Sequence, residues 1–204
     1  MKGTIIAPAP LYPFLSYCNA SPMDKEVLDC GAGGPQPPLA LFFEYGYRTH
    51  GVEISDKQLR LAQQFCDEHG MELDILQGDM RDLPFGDESM SFVYSIDSIC
   101  HMTKSDVAVS MQEIERVLKK GGLCFVNFIS VDDRHFEQGE QQGPGEFIIE
   151  DGNERILHSF YEDTEPDRYF RNFTLIRREK RRVEHFREGK KHGWAEIDYI
   201  AQKQ

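Results

Sequence analysis

The chain has 204 residues, 40% of them hydrophobic, with a formal net charge of -12 and a mean hydropathy of -0.52. That is length for one domain with a sizeable core, and no apolar run approaches the roughly 20 residues that span a bilayer. The negative charge disfavours nucleic acid as the main partner, because neutralising phosphates takes a basic face.

Met1–Pro8 is too short and proline-broken for a signal peptide. Cys18, Cys30, Cys66, Cys100 and Cys124 are scattered without C-x-x-C spacing, which argues against a disulfide framework and a zinc site. A reducing cytoplasm is the expected setting. Leu11, Tyr12, Phe14 and Leu15 read as an amphipathic helix near the N-terminus.

Strand one is predicted over Val27–Cys30, followed by a turn rich in glycine (Gly31, Gly33, Gly34). A helix starts near Pro37 or Pro38, where proline suits a first turn, and runs to Tyr45, with Gly46 as its left-handed end. Strand two is Thr49–Ile54. Ser55-x-x-Gln58 is a capping box for a helix with Leu59, Ala62, Phe65 and Cys66 on one face, ended by Gly70. Strand three is Leu73–Leu76 and strand four Phe92–Ile96. Thr103-x-x-Asp106 opens a helix carrying Val107, Met111, Ile114 and Leu118, with its C-terminus at Gly121. Strand five, Leu123–Ile129, is the near-continuous apolar run of a strand buried on both faces.

Alternating strands and helices imply a parallel sheet covered on both sides. The pattern breaks over residues 130–170, which are expected to be an insertion or lid within a single domain spanning 1–204. Strand-like pieces there are Glu146–Ile149 and Ile156–Tyr161, and Thr164–Asp167 is a helix start. Phe173–Arg187 and Trp194–Ala201, joined by a turn at Gly189–Gly193, form an antiparallel pair.

The turn after strand one decides the ligand. A dinucleotide fingerprint wants a small residue three positions beyond its second glycine, where this chain has Gln36. Asp29, beside the turn, repels phosphates and attracts a cation. The run Val27–Gly33 resembles motif I of the class I S-adenosylmethionine-dependent methyltransferases. The resemblance extends to Glu53 at the end of strand two, Gly78–Phe85 after strand three, Ser95–Met102 after strand four and Arg116–Gly122 before strand five. It covers residues 26–129, with the closing hairpin matching as topology.

The resemblance implies a Rossmann-like α/β fold, a mostly parallel seven-stranded sheet with helices on both faces and an antiparallel last strand. It implies S-adenosylmethionine as cofactor, S-adenosylhomocysteine as product and an unidentified small-molecule acceptor. The implied cofactor site is Asp29, Gly31, Ala32, Gly33, Glu53, Ile54, Asp79, Met80 and Ser95. Within it, Glu53 takes the ribose hydroxyls, Asp79 the adenine amino group and the Met80 N–H a ring nitrogen. Tyr12 or Tyr17 is placed either against the cofactor or in packing. Pro35 stands where many members have a third glycine and removes one N–H donor.

His101, with Asp97 second, is the candidate base; the alternative for His101 is a structural histidine. Phe136, Phe147, His158, Tyr161 and Tyr169 are candidates for a substrate wall. No metal site is expected. Three other functions stay open: cofactor binding without turnover through a partner, a nicotinamide-dependent oxidoreductase, and an RNA methyltransferase. The last would use the strip Arg171–Lys191, with nine Lys/Arg against three Glu.

Overall fold

A computed structural model of the protein describes residues 5–152, 154–187 and 190–204. The chain runs α1 (Leu11–Ala20), β1 (Glu26–Cys30), α2 (Leu39–Glu44), β2 (Arg48–Glu53), α3 (Asp56–His69), β3 (Ile75–Gln77), β4 (Met90–Ser95), α4 (Lys104–Val117) and β5 (Leu118–Ser130). Then come β6 (Glu140–Gly143), β7 (Glu146–Asp151), β8 (Glu154–Tyr161), β9 (Phe173–Arg187) and β10 (Lys190–Lys203). Short 3-10 helices cover Ile99–His101 and Glu165–Phe170.

Seven strands form the main sheet in the order β3-β2-β1-β4-β5-β10-β9. β10 alone among them runs against the rest, as the closing hairpin required. One face is covered by α1, α2 and α3 through Phe14, Phe42, Phe65 and their neighbours. The opposite face is covered by α4 and by Phe170. Phe42 stacks on Tyr94 with ring centroids 5.2 Å apart, and Phe170 on Tyr199 at 4.7 Å. Such pairs add about 0.5–1.5 kcal/mol each beyond their buried area.

Residues 130–170 hold an antiparallel meander, β6-β7-β8, of which β6 carried no strand signal in the sequence. Ile129 of β5 pairs with Glu196 of β10 and also with Phe160 of β8. A strand has two edges, so β8 takes the edge that β4 leaves free when the chain turns away after Ser95. The meander therefore stands over the C-terminal end of β4.

Several boundaries differ from expectation. α4 ends at Val117, four residues before Gly121, because Leu118 is fully buried and pairs with Met90 in the ladder. Burial and strand pairing outweigh the helix-favouring Lys119 and Lys120. Gly121, at φ +77°, absorbs the register shift that follows. β3 is short and shifted to Ile75–Gln77, after Asp74 at φ +49°. In the expected hairpin turn, Gly189 lies outside the described residues, while Lys190–Gly193 already belong to β10.

Candidate active site

A cavity of about 550 Å³ opens at the C-terminal ends of β1, β2 and β4. That is the edge where open α/β sheets bind ligands, and the volume lies in the roughly 300–1,000 Å³ range of small-molecule sites. The loop after β1 forms its floor through Gly31 and Gly33. Glu53, Ile54 and Gln58 make one wall, and Gly78, Asp79, Met80 and Arg81 another. Asp97, Ser98, His101, Met102, Thr103 and Asp106 line the mouth, roofed by Leu157 of β8.

The floor requires glycine. At Gly31 φ is +109°, and a Cβ would stand 2.1 Å from the Ser98 Oγ. That hydroxyl donates to the Ile96 carbonyl at 3.0 Å, tying the end of β4 beneath the loop. A Cβ at Gly33 would stand 2.5 Å from both Glu53 Oε2 and Gln58 Cβ.

The loop spends its own donors. The N–H groups of Gly31 and Ala32 donate to the Val52 carbonyl at 2.9 and 3.1 Å, and Gly34 N–H to the Gln58 carbonyl at 3.0 Å. Gly33 N–H donates to Glu53 Oε2 at 3.0 Å. Residue 35 is proline and has none. A pyrophosphate cradle needs such N–H groups free and aimed at the ligand, and here they are not. What faces the cavity instead is acceptor-rich: the carboxylates of Glu53, Asp79, Asp97 and Asp106 against the Arg81 guanidinium.

Glu53 is the hinge of this arrangement. Its other oxygen, Oε1, accepts the Ser55 N–H at 2.8 Å. Ser55 Oγ accepts the Gln58 N–H, one half of the expected capping box. The reciprocal half is absent because Glu53 takes the Ser55 N–H. A carboxylate offers about four lone-pair sites. With two filled by backbone, two remain for a vicinal diol.

Asp79 is held from the side by Arg81, whose Nη2 lies 2.6 Å from Oδ2, and whose backbone N–H donates to Oδ1 at 2.9 Å. Arg81 Nη1 reaches on to Asp106 Oδ1 at 3.1 Å. The guanidinium keeps the Asp79 carboxyl below the ordinary aspartate range, so it is ionised. Its oxygens are thus largely committed before any adenine amine arrives.

Three of the implied cofactor residues do not line the cavity. Ala32 is fully buried, and Ser95 is fully buried with its hydroxyl donating to the Cys30 carbonyl at 2.9 Å. Asp29 is fully buried beneath the loop, beside Tyr94 in the β1–β4 register. Burial pushes its pKa up to about 8, the nearby Tyr94 hydroxyl works against this, and the charge of Glu53 adds to it. Neither carboxyl oxygen has a partner of hydrogen-bond geometry among the described residues. An orphaned buried carboxyl is satisfied by a proton, a water or a cation. Tyr12 and Tyr17 are exposed on α1, whose buried side packs Leu11, Phe14, Leu15 and Cys18 into the core, and neither lines the cavity.

At the mouth, the Leu157 carbonyl lies 3.3 Å from His101 Nδ1. A carbonyl only accepts, so Nδ1 carries the proton and Nε2 keeps its lone pair. The residue is exposed, yet the protein around the ring lowers the His101 pKa by desolvation, opposed by the Leu157 bond and by Asp97. Asp97 adopts φ +52°. Its N–H donates to Asn127 Oδ1 at 2.9 Å, and Asn127 Nδ2 donates back to Asp97 Oδ1 at 2.6 Å. His101 packs edge-to-face on His158 at 4.7 Å. Phe136, Phe147 and Phe160 pack on one another beneath the meander, and Tyr161 and Tyr169 pack around Phe128, so these aromatics build core.

Residues 28–126 match the family model described as a methyltransferase domain. These residues form a methyltransferase domain, on the fold of the class I S-adenosylmethionine-dependent methyltransferases. Among solved structures of this fold, a SAM-dependent methyltransferase from Methanosarcina mazei aligns at a TM-score of 0.78 and 21% identity, covering 97% of this chain and 99% of that one. The Burkholderia thailandensis 1,6-didemethyltoxoflavin-N1-methyltransferase, with bound 1,6-didemethyltoxoflavin and S-adenosylhomocysteine, aligns at 0.66 and 18%, covering 96% and 79%. In sequence, the sterol 24-C-methyltransferase of Saccharomyces cerevisiae is 28% identical over 151 residues, 71% of this chain and 38% of that protein. The chain spans well under half the length of the curated relatives it matches.

As a class I methyltransferase domain, the chain fits its cofactor by chemistry. The acidic lining suits a ligand carrying an ammonium and a sulfonium, the free lone pairs of Glu53 suit a ribose, and the glycine floor admits a close approach. The residues the sequence did not flag are Gln58, Arg81, Ser98, Asn127 and Leu157. Asn127 alone carried a visible signal, a polar residue inside the apolar run of strand five.

Proposed function

We propose that the cavity binds S-adenosylmethionine and that the protein catalyses methyl transfer to a small-molecule acceptor entering past Asp97 and His101. The observation that carries this reading is the internal use of the loop's N–H groups, which leaves a cavity of acceptors suited to a cation and a diol. The same observation disfavours a nicotinamide dinucleotide. The Burkholderia relative, with a small heteroaromatic acceptor and S-adenosylhomocysteine bound, supports the acceptor class.

The cofactor, when bound, supplies an activated methyl group on a sulfonium. The chain then has to align, desolvate and accept a proton. Glu53 holds the ribose, Met80 and Asp79 flank the adenine, and Asp29, buried and protonated at neutral pH, underlies the loop. Holding two reactants in line is worth roughly 7–11 kcal/mol of barrier. His101 Nε2, unprotonated at neutral pH, is the base for an acceptor N–H or O–H, and Asp97 orients that group. A base of this kind contributes on the order of 10²–10⁴-fold.

Four of the nine cations in the basic strip are already paired with carboxylates, which weighs against a nucleic-acid reading. Arg177 pairs with Glu179, Arg178 with Asp167, Lys180 with Asp132 and Asp163, and Arg181 with Glu196 and Asp198. The domain's test is incubation with S-adenosylmethionine and panels of amines, phenols, heteroaromatic nitrogens and sterols, reading S-adenosylhomocysteine release. Release with one class, lost in His101→Ala with S-adenosylhomocysteine binding kept, supports the reading. Release at full rate in that variant removes His101 from the chemistry.

A further inference from the structure

The sheet order fixes which end of a ligand lies where. The strands beneath the cavity stand in the order β3-β2-β1-β4. Glu53, whose carboxylate keeps lone-pair sites for a vicinal diol, ends β2. The reacting end of the cofactor must lie toward Asp97 and His101, which follow β4. The purine then falls on the other side of the ribose, against the turn that leaves β3. That turn is drawn up to the end of β2 by the Gly78 N–H, which donates to the Glu53 carbonyl at 3.0 Å, and it lines the cavity from Gly78 to Arg81.

At this turn Arg81 takes up Asp79 from the side. Nε donates to both carboxylate oxygens at 3.0 Å, Nη2 to Oδ2 at 2.6 Å and the Arg81 backbone N–H to Oδ1 at 2.9 Å. Three N–H groups thus crowd a carboxylate that offers about four lone-pair sites. The guanidinium is tethered at its far side as well, Nη1 donating to Asp106 Oδ1 at 3.1 Å. The Thr103 hydroxyl holds the other Asp106 oxygen at 2.9 Å. Arg81 is therefore bridged between the turn after β3 and the first turn of α4, which keeps it on Asp79. A guanidinium has five N–H groups. Among the described residues three of them are engaged, leaving one on each terminal nitrogen at the cavity wall.

We propose that Arg81 is a specificity-determining residue for the base of the cofactor: it fills the carboxylate of Asp79 and offers its own remaining N–H groups, so that the site takes a purine with a 6-carbonyl nearly as well as one with a 6-amino group. A 6-amino group only donates and needs an acceptor, whereas a 6-carbonyl only accepts and needs a donor. Asp79 alone would read the first and repel the second. Asp79 under Arg81 has little left to accept with, and the guanidinium supplies donors. The inference rests on reading the cavity as the S-adenosylmethionine site with the ribose on Glu53.

The test is calorimetric titration with S-adenosylhomocysteine and with S-inosylhomocysteine, in which a carbonyl replaces the 6-amino group. It compares the wild type with Arg81→Met, which keeps an apolar stem and no donor. The two wild-type Kd values should agree within about threefold. In Arg81→Met the freed Asp79 should accept the amine, and the preference for S-adenosylhomocysteine should rise by about tenfold, the weight of one hydrogen bond to a charged group. Arg81→Lys, a point charge in place of the fork, should move the preference in the same direction and serves if the methionine variant does not fold. A wild-type preference for S-adenosylhomocysteine of about tenfold or more overturns the proposal whether or not a variant folds, and so does a folded variant with the wild-type preference. Binding of neither compound to the wild type overturns the cavity reading and the proposal with it. Tight binding of S-adenosylhomocysteine with strong rejection of S-inosylhomocysteine overturns the role of Arg81 alone.

Discussion

Replacing Glu53 by glutamine tests the site with the smallest change of shape. The carboxylate accepts the Gly33 N–H at 3.0 Å and the Ser55 N–H at 2.8 Å. Glutamine keeps one acceptor oxygen and turns an NH₂ group toward the other donor. A hydrogen bond to a charged group is worth about 1.5–3 kcal/mol. Glu53 is partly exposed, so water relieves part of the loss and the lower end applies, about 1.5 kcal/mol. In a chain of this length each kcal/mol moves the melting midpoint by about 2–4 °C, giving a fall of about 3–6 °C. The ribose loses an ionised acceptor of the same order, so the Kd for S-adenosylhomocysteine should rise roughly tenfold. Thermal melts and calorimetric titration of the two proteins read both effects. An unchanged midpoint together with unchanged affinity would refute the assignment of Glu53 as the joint between loop, helix and ligand.

Gly31→Ala should lower the midpoint, since the new Cβ meets Ser98 Oγ at 2.1 Å and Cβ at 2.4 Å on a backbone at φ +109°; the backbone strain alone costs on the order of 1–3 kcal/mol. Adding Ser98→Gly should restore part of the loss but not all, as thermal melts will read. Asp29 carries a folded pKa of about 8 against roughly 3.9 unfolded, so the folded state binds the extra proton between those values. Its stabilising contribution is full below about pH 3.9 and is lost as pH rises to 8. Urea unfolding across this window should show wild-type stability falling, and Asp29→Asn should flatten that part of the slope. Filter binding to tRNA should show no steep salt dependence, because Arg177, Arg178, Lys180 and Arg181 are already held by carboxylates of the chain.

The βα frame was legible because its signals are local. Val27–Cys30, Ser55 as a cap and the apolar run of strand five each report on their own neighbourhood. β6, with the sequence Glu-Gln-Gln-Gly, had no apolar alternation to read, and among the described residues it pairs with β7 alone. The loop-end residues implied for the cofactor (Gly31, Gly33, Glu53, Ile54, Asp79 and Met80), together with Asp97 and His101, line one cavity. Asp29, Ala32 and Ser95 do not, because a motif fixes position along the chain and not whether a side chain faces in or out. Asp29 shares a face of β1 with Val27, which packs in the core beneath α1 and α2, and Tyr94 lies beside it. The partnership of Asp97 with Asn127 spans 30 positions of the chain, and only the pairing of β4 with β5 brings it about.

Calorimetric titration with S-adenosylhomocysteine, run beside NADH, addresses the central claim most directly. The loop with no free N–H groups and the acidic cavity predict binding of S-adenosylhomocysteine at about micromolar Kd, roughly -8 kcal/mol, and none of NADH. Binding of NADH without S-adenosylhomocysteine would contradict the account at its root, in the way the Gly31–Gly34 loop spends its donors.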